Sequence, residues 1–331
     1  MKLHSREAVK DYLVIKGFAP PEMKVEPLTG GVSCSVWKVD TGIHCFVLKQ
    51  ALERLMVETE WLSDVQRIHR EHEAMDALKT LVAAGTIPQV LHRDYNDHVY
   101  TMTAAEEGSL TWKEHLMQGM LNELHAKNAA SILKQMHGNS PVMPEKEQQK
   151  FKDQTYFLQL RVDPFHRYLI QQYPKLSPYI QKLIDEVTVK QICLVHGDFS
   201  PKNMLVEKNH NIVLIDFEVA HWGNPVFDLA YCLGHLILKA WHLQKEHEVL
   251  KLIEVFLCTY ELKVENLTPH VGLMLLARMD GKSPVNYIKD EVLKNRIRRI
   301  AISWIMEEAA HEDPLQNIQQ ALINENRRKI N

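Results

Sequence analysis

Cysteine and long apolar segments are what this sequence has least of. Its 331 residues include five cysteines, an odd number in scattered and mostly apolar surroundings: Cys34, Cys45, Cys193, Cys232 and Cys258. We therefore expect reduced, buried thiols and a cytoplasmic location, because structural disulfides belong to oxidising compartments. No uncharged apolar run approaches the roughly 18 residues of a spanning helix, and residues 1–13 lack the apolar core of a signal peptide. These absences argue against a disulfide-rich secreted scaffold and against a membrane-spanning protein.

An excess of charge is also missing. The net charge is −3 and the pI about 6.7, which gives no basis for a nucleic-acid or anionic-membrane surface. There are eighteen histidines, but no HExxH or CxxC spacing, so we expect no transition-metal site. Gly281-Lys282-Ser283 is not a P-loop, because Leu276 stands where the first glycine is required. The composition, 45% hydrophobic and 24% charged, is that of a globular protein long enough for two domains.

The most informative stretch is residues 193–229, in which short apolar runs alternate with polar loops. The triplet HGD ends at Asp198, four residues separate Asp198 from Asn203, and Asp216 follows the third apolar run. A β-hairpin would bring Asp198, Asn203 and Asp216 to one point. Kinase-type phosphoryl transfer needs such a set, in which one carboxylate accepts a hydroxyl proton while an amide and a second carboxylate hold magnesium.

The segments HGDFSPKNMLV and LIDFEVAHWGNPVFDLA resemble the aminoglycoside phosphotransferase and choline kinase superfamily, which is similar in fold to protein kinases. The resemblance implies that Asp198 is the catalytic base, that Asn203 and Asp216 are Mg²⁺ ligands, and that ATP is the phosphoryl donor. The alternative is a nucleotide-binding pseudokinase that acts as a scaffold. The intact set of these three residues and Lys49 argues against it. Protein-kinase activity is disfavoured, because no activation loop or APE-like segment follows Asp216.

A loop of small residues between two predicted strands is the candidate phosphate-binding loop. Such a loop can bring backbone N–H groups close to phosphate oxygens. The residues that we assign to the nucleotide here are Gly30, Gly31 and Ser33.

Lys49 ends the next predicted strand, beside this loop. A lysine there can bind the α- and β-phosphates if a carboxylate on the following helix orients it. The helix predicted over residues 65–82 offers two. We favour Glu71, because its surroundings resemble the family's RE-x-x-A-L helix, and keep Glu73 as the alternative. Residues 49–52 and the positions before the acid also show a weaker, local likeness to methylthioribose kinases.

The predicted fold class is α+β, a protein-kinase-like fold of two lobes. A small antiparallel-sheet N-lobe takes residues 1–101, a hinge residues 102–107, and a larger, mainly helical C-lobe residues 108–331. In kinase-like folds the backbone at this junction binds the adenine edge, so the resemblance points to Thr103 and Ala105.

The acceptor site is expected in the C-lobe, and its candidate residues are Arg161, Glu218 and Trp222. The sequence after Arg161 predicts a helix that Asp163 caps, with Pro164 in its first turn. Asp228 and His137 are expected to be structural, since the family's equivalent of Asp228 bonds back to the catalytic loop and His137 ends a long central helix.

The acceptor itself is left open, as is the oligomeric state. An aminoglycoside would need a carboxylate-rich pocket, a sugar would need hydrogen-bonding groups, and choline would need an aromatic cage. We favour a small metabolite with a sugar or amino-alcohol hydroxyl over an antibiotic.

Overall fold

The computed structural model describes residues 1–28, 34–53, 63–308 and 311–323. The strands are β1 (Lys24–Pro27), β2 (Cys34–Asp40), β3 (Cys45–Ala51), β4 (Val90–Asp94), β5 (Val99–Thr103), β6 (Leu110–Thr111), β7 (Cys193–Val195), β8 (Met204–Val206), β9 (Ile212–Leu214) and β10 (His221–Gly223). The helices are α1 (Arg6–Ile15), α2 (Arg67–Leu78), α3 (Trp112–Met117), α4 (Glu123–Asn139), α5 (Glu145–Lys150), α6 (Thr155–Phe157), α7 (Tyr168–Gln172), α8 (Ser177–Val189), α9 (Val226–Leu243), α10 (Glu246–Tyr260), α11 (Leu267–Asp280), α12 (Glu291–Ile305) and α13 (Pro314–Ile323).

The N-terminal part is an antiparallel sheet of five strands in the order β1-β2-β3-β5-β4. Side chains alternate between the two faces of a strand, and β3 shows it clearly. Phe46 and Leu48 pack in the cluster that includes α1, whereas Val47 and Ala51 pack in the main core with α2. Lys49 therefore points to the face that α2 covers.

The rest of the described chain is mainly helical. Helix α9 is apolar on nearly every side and is buried over most of its length, as expected of a helix inside a core. It packs against α10 and α11, and α11 packs against α12. The predicted α+β class, with an antiparallel sheet followed by a helical part, is confirmed. Among the described residues, no helix has the length and apolar character to cross a membrane.

Two small antiparallel sheets hold the loops that carry the HGD and DFE sequences. β8 pairs with β9 so that Met204 lies opposite Leu214, and β6 extends this sheet. β7 pairs with β10, with His221 opposite Val195. The hairpin predicted from the sequence is thus present, and both polar loops leave it in the same region.

The segment after Phe157 differs from the prediction. Residues Leu158–Arg167 form a π-helical segment that continues α6, with Pro164 inside it. The exposed Asp163 side chain forms an ion pair with Arg167, one turn along the same segment, and does not cap a helix. The wider π turn accommodates a proline, which has no N–H to donate.

Two further differences concern the end of the sheet and the cysteines. Strand β5 runs to Thr103, two residues past the predicted end of the N-lobe. All five cysteines are free, as predicted. Cys45 and Cys258 are exposed, so the expectation of buried thiols holds for three of the five.

Candidate active site

The HGD loop is fixed by Asp228, in the first turn of α9. Its carboxylate accepts hydrogen bonds from the N–H of His196 (2.7 Å) and of Gly197 (2.8 Å), and it lies 3.2 Å from the His137 ring. The expected bond from Asp228 back to the catalytic loop is confirmed, and His137 contacts Asp228 from the end of α4. Gly197 has φ +78°, and a Cβ there would lie 2.8 Å from the carbonyl oxygen of Val219. Glycine is therefore required at this position.

His196 links this loop to the end of β9. Its Nδ1 accepts the N–H of Asp198 (3.1 Å), and its Nε2 lies 3.1 Å from the carbonyl oxygen of Ile215, to which it donates. Burial lowers the pKa of His196, although the Asp228 and Asp198 charges act in the opposite direction. The neutral ring is therefore held as the Nε2–H tautomer, and it orients the loop that carries Asp198 and the loop that carries Asp216.

Asp198 uses its two carboxylate oxygens differently. Oδ2 accepts the Asn203 amide (2.8 Å) and lies 2.8 Å from both the Arg161 guanidinium and the Lys202 ammonium. Oδ1 is buried and has no hydrogen-bond partner among the described residues. A buried acceptor that lacks a partner is costly, so it marks a place where a donor from a ligand can bind.

The charge of Asp198 is stabilised by its neighbours. Burial alone would raise its pKa, but the positive charges of Arg161 and Lys202 hold the pKa of Asp198 well below its usual range. Asp198 is therefore ionised throughout the physiological pH range.

Asn203 and Asp216 are held next to each other by the backbone. The carbonyl oxygen of Asn203 accepts the N–H of Ile215 (3.0 Å), the residue before Asp216. The amide nitrogen of Asn203 bonds to Asp198, which leaves its oxygen for another ligand. Asp216 has φ +74°, in the left-handed region. Such a conformation is uncommon for a residue with a side chain and occurs often at functional sites.

The predicted ion pair between Lys49 and Glu71 is confirmed. The Lys49 ammonium lies 2.8 Å from the Glu71 carboxylate and 2.7 Å from Oδ1 of Asp216, and both Lys49 and Glu71 are buried. The positively charged groups around Glu73 are instead Arg70 and Lys150. Burial opposes the charged form of Lys49, yet Asp216 and Glu71 raise its pKa well above the usual value. Lys49 is therefore a permanent cation at the junction of sheet and hairpin.

Glu218 takes part in a second ion pair that the sequence did not predict. Its carboxylate lies 3.0 Å from Nε of Arg67, and Arg67 is completely buried at the start of α2. Arg67 also donates to the carbonyl oxygens of Leu52 and Asp64. Glu218 is thus committed to fixing α2 against the hairpin, which leaves it little freedom to bind a substrate.

The side chain of Trp222 is buried. It is 4% exposed and packs in the main core, while the backbone N–H of Trp222 donates to the carbonyl oxygen of Phe151 (2.7 Å). The position of Trp222 in the β7–β10 sheet explains this burial, which argues against the predicted contact with the substrate. Arg161, in contrast, reaches Asp198 from the π-helical segment and also donates to the carbonyl oxygen of Gly197 (3.0 Å).

The two residues predicted to bind the adenine edge, at the junction after β5, differ in their backbone hydrogen bonds. The N–H of Thr103 donates to the carbonyl oxygen of Gln89 (2.9 Å), so a contact of Thr103 with the adenine edge would fall to its carbonyl oxygen, and its role remains a prediction. The N–H of Ala105 has no partner in the part of the chain that the structure describes, and its role remains a prediction. Gly30, Gly31 and Ser33 lie outside the described residues.

Lys202 is the main residue of the site that the sequence interpretation missed. Its ammonium contacts Asp198, yet its side chain is 47% exposed. The signal was its spacing of four residues from the acid. That spacing indicates a contact only within a helix, and the short 3-10 helix Pro201–Asn203 was not predicted.

Comparison with known proteins agrees with this geometry. A family model described as "Phosphotransferase enzyme family" matches residues 24–251, more than half of the chain. The chain belongs to this family. The family predicted from the HGD and DFE segments is thereby confirmed, and the protein is a phosphotransferase.

Individual relatives are distant. A 4-hydroxytryptamine kinase of Psilocybe cyanescens is 22% identical over 247 residues, which cover 65% of this chain and 68% of that protein. The structure of an ethanolamine kinase from Plasmodium vivax has a TM-score of 0.56 at 12% identity, over 97% of this chain and 89% of that one. A spectinomycin phosphotransferase in complex with ADP and spectinomycin has a TM-score of 0.53 at 13% identity, over 97% and 100%. These likenesses confirm the kinase-like fold.

Proposed function

We propose that the protein transfers the γ-phosphoryl group of ATP to a hydroxyl group of a small molecule, with Asp198 as the catalytic base. The observation that carries this proposal is the different surroundings of the two carboxylate oxygens of Asp198. Three donors hold Oδ2, whereas Oδ1 is buried without a partner among the described residues. A hydroxyl that donates to Oδ1 would have its oxygen oriented for attack.

The chemical step then balances as follows. A bond forms between the hydroxyl oxygen and the γ-phosphorus, and the bond between that phosphorus and the bridging oxygen of ADP breaks. ADP leaves with the electron pair, and the hydroxyl proton goes to Oδ1 of Asp198. The low pKa of Asp198 suits a loose transition state, in which the proton is lost late.

Asn203 and Asp216 fit a magnesium ion. Mg²⁺ prefers oxygen ligands and is usually held by one or two carboxylates together with substrate phosphates. The free amide oxygen of Asn203 and the second carboxylate oxygen of Asp216 are of this type. No group of three or more acidic, histidine or cysteine side chains among the described residues could hold a metal by itself, which agrees with an ion that binds together with the nucleotide. When bound, the ion neutralises charge on the phosphates.

Lys49 is proposed to bind the nucleotide phosphates. Glu71 and Asp216 hold its ammonium at the junction of the N-terminal sheet and the catalytic hairpin. Protein kinases have their phosphate-binding lysine on a strand of the same sheet. The Ala105 N–H is proposed to bind the adenine edge, and the loop with Gly30, Gly31 and Ser33 to cover the phosphates.

The alternative of a pseudokinase scaffold makes a different prediction for turnover. The test is ADP release in the presence of Mg·ATP and a panel of sugars, amino alcohols and aminoglycosides. Turnover with one of these acceptors supports the proposal. Nucleotide binding without acceptor-dependent turnover across a broad panel favours the scaffold.

Magnesium binding has its own test. Asp216→Asn is expected to weaken the binding of Mg·ATP more than that of metal-free ATP, because it removes a metal ligand. Titration calorimetry with and without magnesium measures both. Equal losses under the two conditions contradict a metal role for Asp216.

A further inference from the structure

One face of α9, which begins beside the catalytic loop, carries polar side chains. Asp228 bonds to that loop, and Tyr231, His235 and Lys239 follow it at spacings of three or four residues. Residues at this spacing share one face of a helix. With a rise of about 1.5 Å per residue, Lys239 lies roughly 16 Å along the helix from Asp228.

Charged groups of the catalytic loop and of helix α11 both act on Tyr231, on this face of α9. Burial raises the pKa of Tyr231; the charge of Asp198 raises it further, whereas those of Arg161, Arg278 and Lys202 lower it. Arg278 is on α11, which packs against α9. Two cations that pair with Asp198 and one from α11 therefore act electrostatically on the same buried tyrosine.

Lys239 is a buried cation without a carboxylate partner among the described residues. Its side chain is 1% exposed, and within the described ranges its ammonium donates only to the carbonyl oxygen of His235 (3.3 Å). It also lies 5.7 Å from the centre of the Tyr287 ring. A buried cation of this kind is costly, and a ligand that supplies the opposite charge would stabilise it.

Arg278 also lacks an ion pair within the described ranges, although its side chain is only half-buried. Its guanidinium lies 5.6 Å from the centre of the Phe165 ring. Its Nε and the hydroxyl of Tyr287 are buried, and neither has a hydrogen-bond partner among the residues that the structure describes. Arginine is the side chain best suited to bind a carboxylate or a phosphate through two parallel hydrogen bonds.

The balance of charge in this region is positive. Arg161, Lys202, Lys239 and Arg278 supply four cationic groups. The carboxylates that act on them are already paired, Asp198 with Arg161 and Lys202, and Asp216 with Lys49. A cationic acceptor would meet like charge and gain no counter-ion. An anionic acceptor would pair with groups that lack a partner.

We infer that the acceptor is an anion, a hydroxylated small molecule whose carboxylate or phosphate group binds Arg278 and Lys239 while its hydroxyl binds Asp198. This inference rests on the proposed function and names the substrate class of that site. It separates the protein from kinases of amino alcohols, aminoglycosides and hydroxylated amines, whose acceptors carry positive charge.

The titration of Lys239 gives an independent readout. Burial, followed by the neighbouring charges of Lys113 and Arg278, lowers its pKa to about 7, with Cys232 acting in the opposite direction; the Tyr287 ring lies over the ammonium. A bound anion raises that pKa. Below pH 7 Lys239 is charged in both states and anion affinity is constant. Above pH 7 binding must take up a proton, so the affinity falls as the pH rises.

A panel with one carbon skeleton and different charges tests the inference. The ligands are D-glucose, D-gluconate, D-glucose 6-phosphate and D-glucosamine, titrated by calorimetry into the full chain loaded with Mg·ADP. We expect at least one of the two anions to bind roughly tenfold more tightly than glucose, and glucosamine to bind more weakly than glucose. Gluconate and glucose 6-phosphate distinguish a carboxylate from a phosphate preference.

Substitutions test which residues bind the anion. Arg278→Gln is expected to abolish the preference for anions, Arg278→Lys to keep part of it, and Arg299→Gln, the same change at an exposed position of α12, to leave it intact. Lys239→Met is expected to flatten the pH dependence above pH 7. Equal affinities across the panel, tightest binding of glucosamine, no measurable binding of either anion, or a preference that survives Arg278→Gln each overturns the inference.

The binding of Mg·ATP, measured in the same way, keeps this inference distinct from the proposed function. If Mg·ATP binds and Lys49→Met weakens it while anions show no preference, the anionic acceptor is wrong and the phosphotransferase site stands. If Mg·ATP does not bind, the proposed function itself fails.

Discussion

The ammonium of Lys49 lies 2.7 Å from Oδ1 of Asp216, although 167 positions separate the two residues in the sequence. Lys49 comes from β3 of the N-terminal sheet, and Asp216 follows the catalytic hairpin. Their contact joins the two lobes at the point where we propose that the phosphates bind. Glu71 supports the same ammonium from α2.

Lys49 and Glu71 are expected to act as one unit. Lys49→Met and Glu71→Gln should each lower kcat/KM for ATP, and the double variant should retain far more activity than the product of the two losses predicts, because either change disables the same group. Glu73→Gln, two residues along the helix, serves as the control and should be nearly silent. Independent, multiplicative losses would show that Glu71 does not act through Lys49.

Glu218 is expected to stabilise the fold rather than to bind the acceptor. Glu218→Gln removes the carboxylate charge that lies 3.0 Å from the buried Arg67, so the free energy of unfolding should fall by about 3 kcal/mol. Chemical denaturation measures this. Glu265→Gln removes an exposed partner of Lys190 and should cost less than about 1 kcal/mol. A raised KM for the acceptor with unchanged stability would instead restore Glu218 as a substrate residue.

His166 is expected to make the fold sensitive to acid. Burial lowers its pKa from 6.5 to about 3, with a smaller effect from His270. Between these pH values the unfolded chain binds a proton that the folded chain does not, so stability falls as the pH decreases, by about 1.4 kcal/mol per pH unit.

His166→Leu should remove this dependence. The measurement is the slope of the free energy of unfolding between pH 6 and pH 4, which should be smaller in the variant than in the wild type. The same change at His44, an exposed turn residue, is the control and should leave the slope unchanged. An unaltered slope in His166→Leu means that other groups cause the acid sensitivity.

Local sequence was sufficient to predict the catalytic hairpin. Asp198, Asn203 and Asp216 lie within one short stretch, and the apolar runs between them leave little choice of pairing. Lys49 and Glu71 could be predicted because each lies in a regular pattern, a strand and a helix, in a familiar order, although β3 continues two residues past Lys49. In all these cases the contact depends on elements that are consecutive in the chain.

The remaining parts of the site depend on contacts between distant elements. Arg67 and Glu218 are 151 positions apart, and Lys239 and Arg278 approach the site from two separate helices. No periodicity in the sequence indicates which helices will be neighbours. The π-helical segment was missed for a local reason, since Asp163-Pro164 has the composition of a helix start although it occurs inside a helix.

The most direct test of the proposed phosphotransferase mechanism is Asp198→Asn, with Asp163→Asn as the matched change at an exposed aspartate. Two quantities are measured in the same preparation: kcat for ADP release with the best acceptor, and the affinity for Mg·ATP. We expect kcat to fall by roughly two to four powers of ten, the usual contribution of a positioned base, while the affinity for Mg·ATP stays within about threefold of wild type. Near-wild-type turnover together with a loss of nucleotide binding would mean that Asp198 is structural, and would contradict the account.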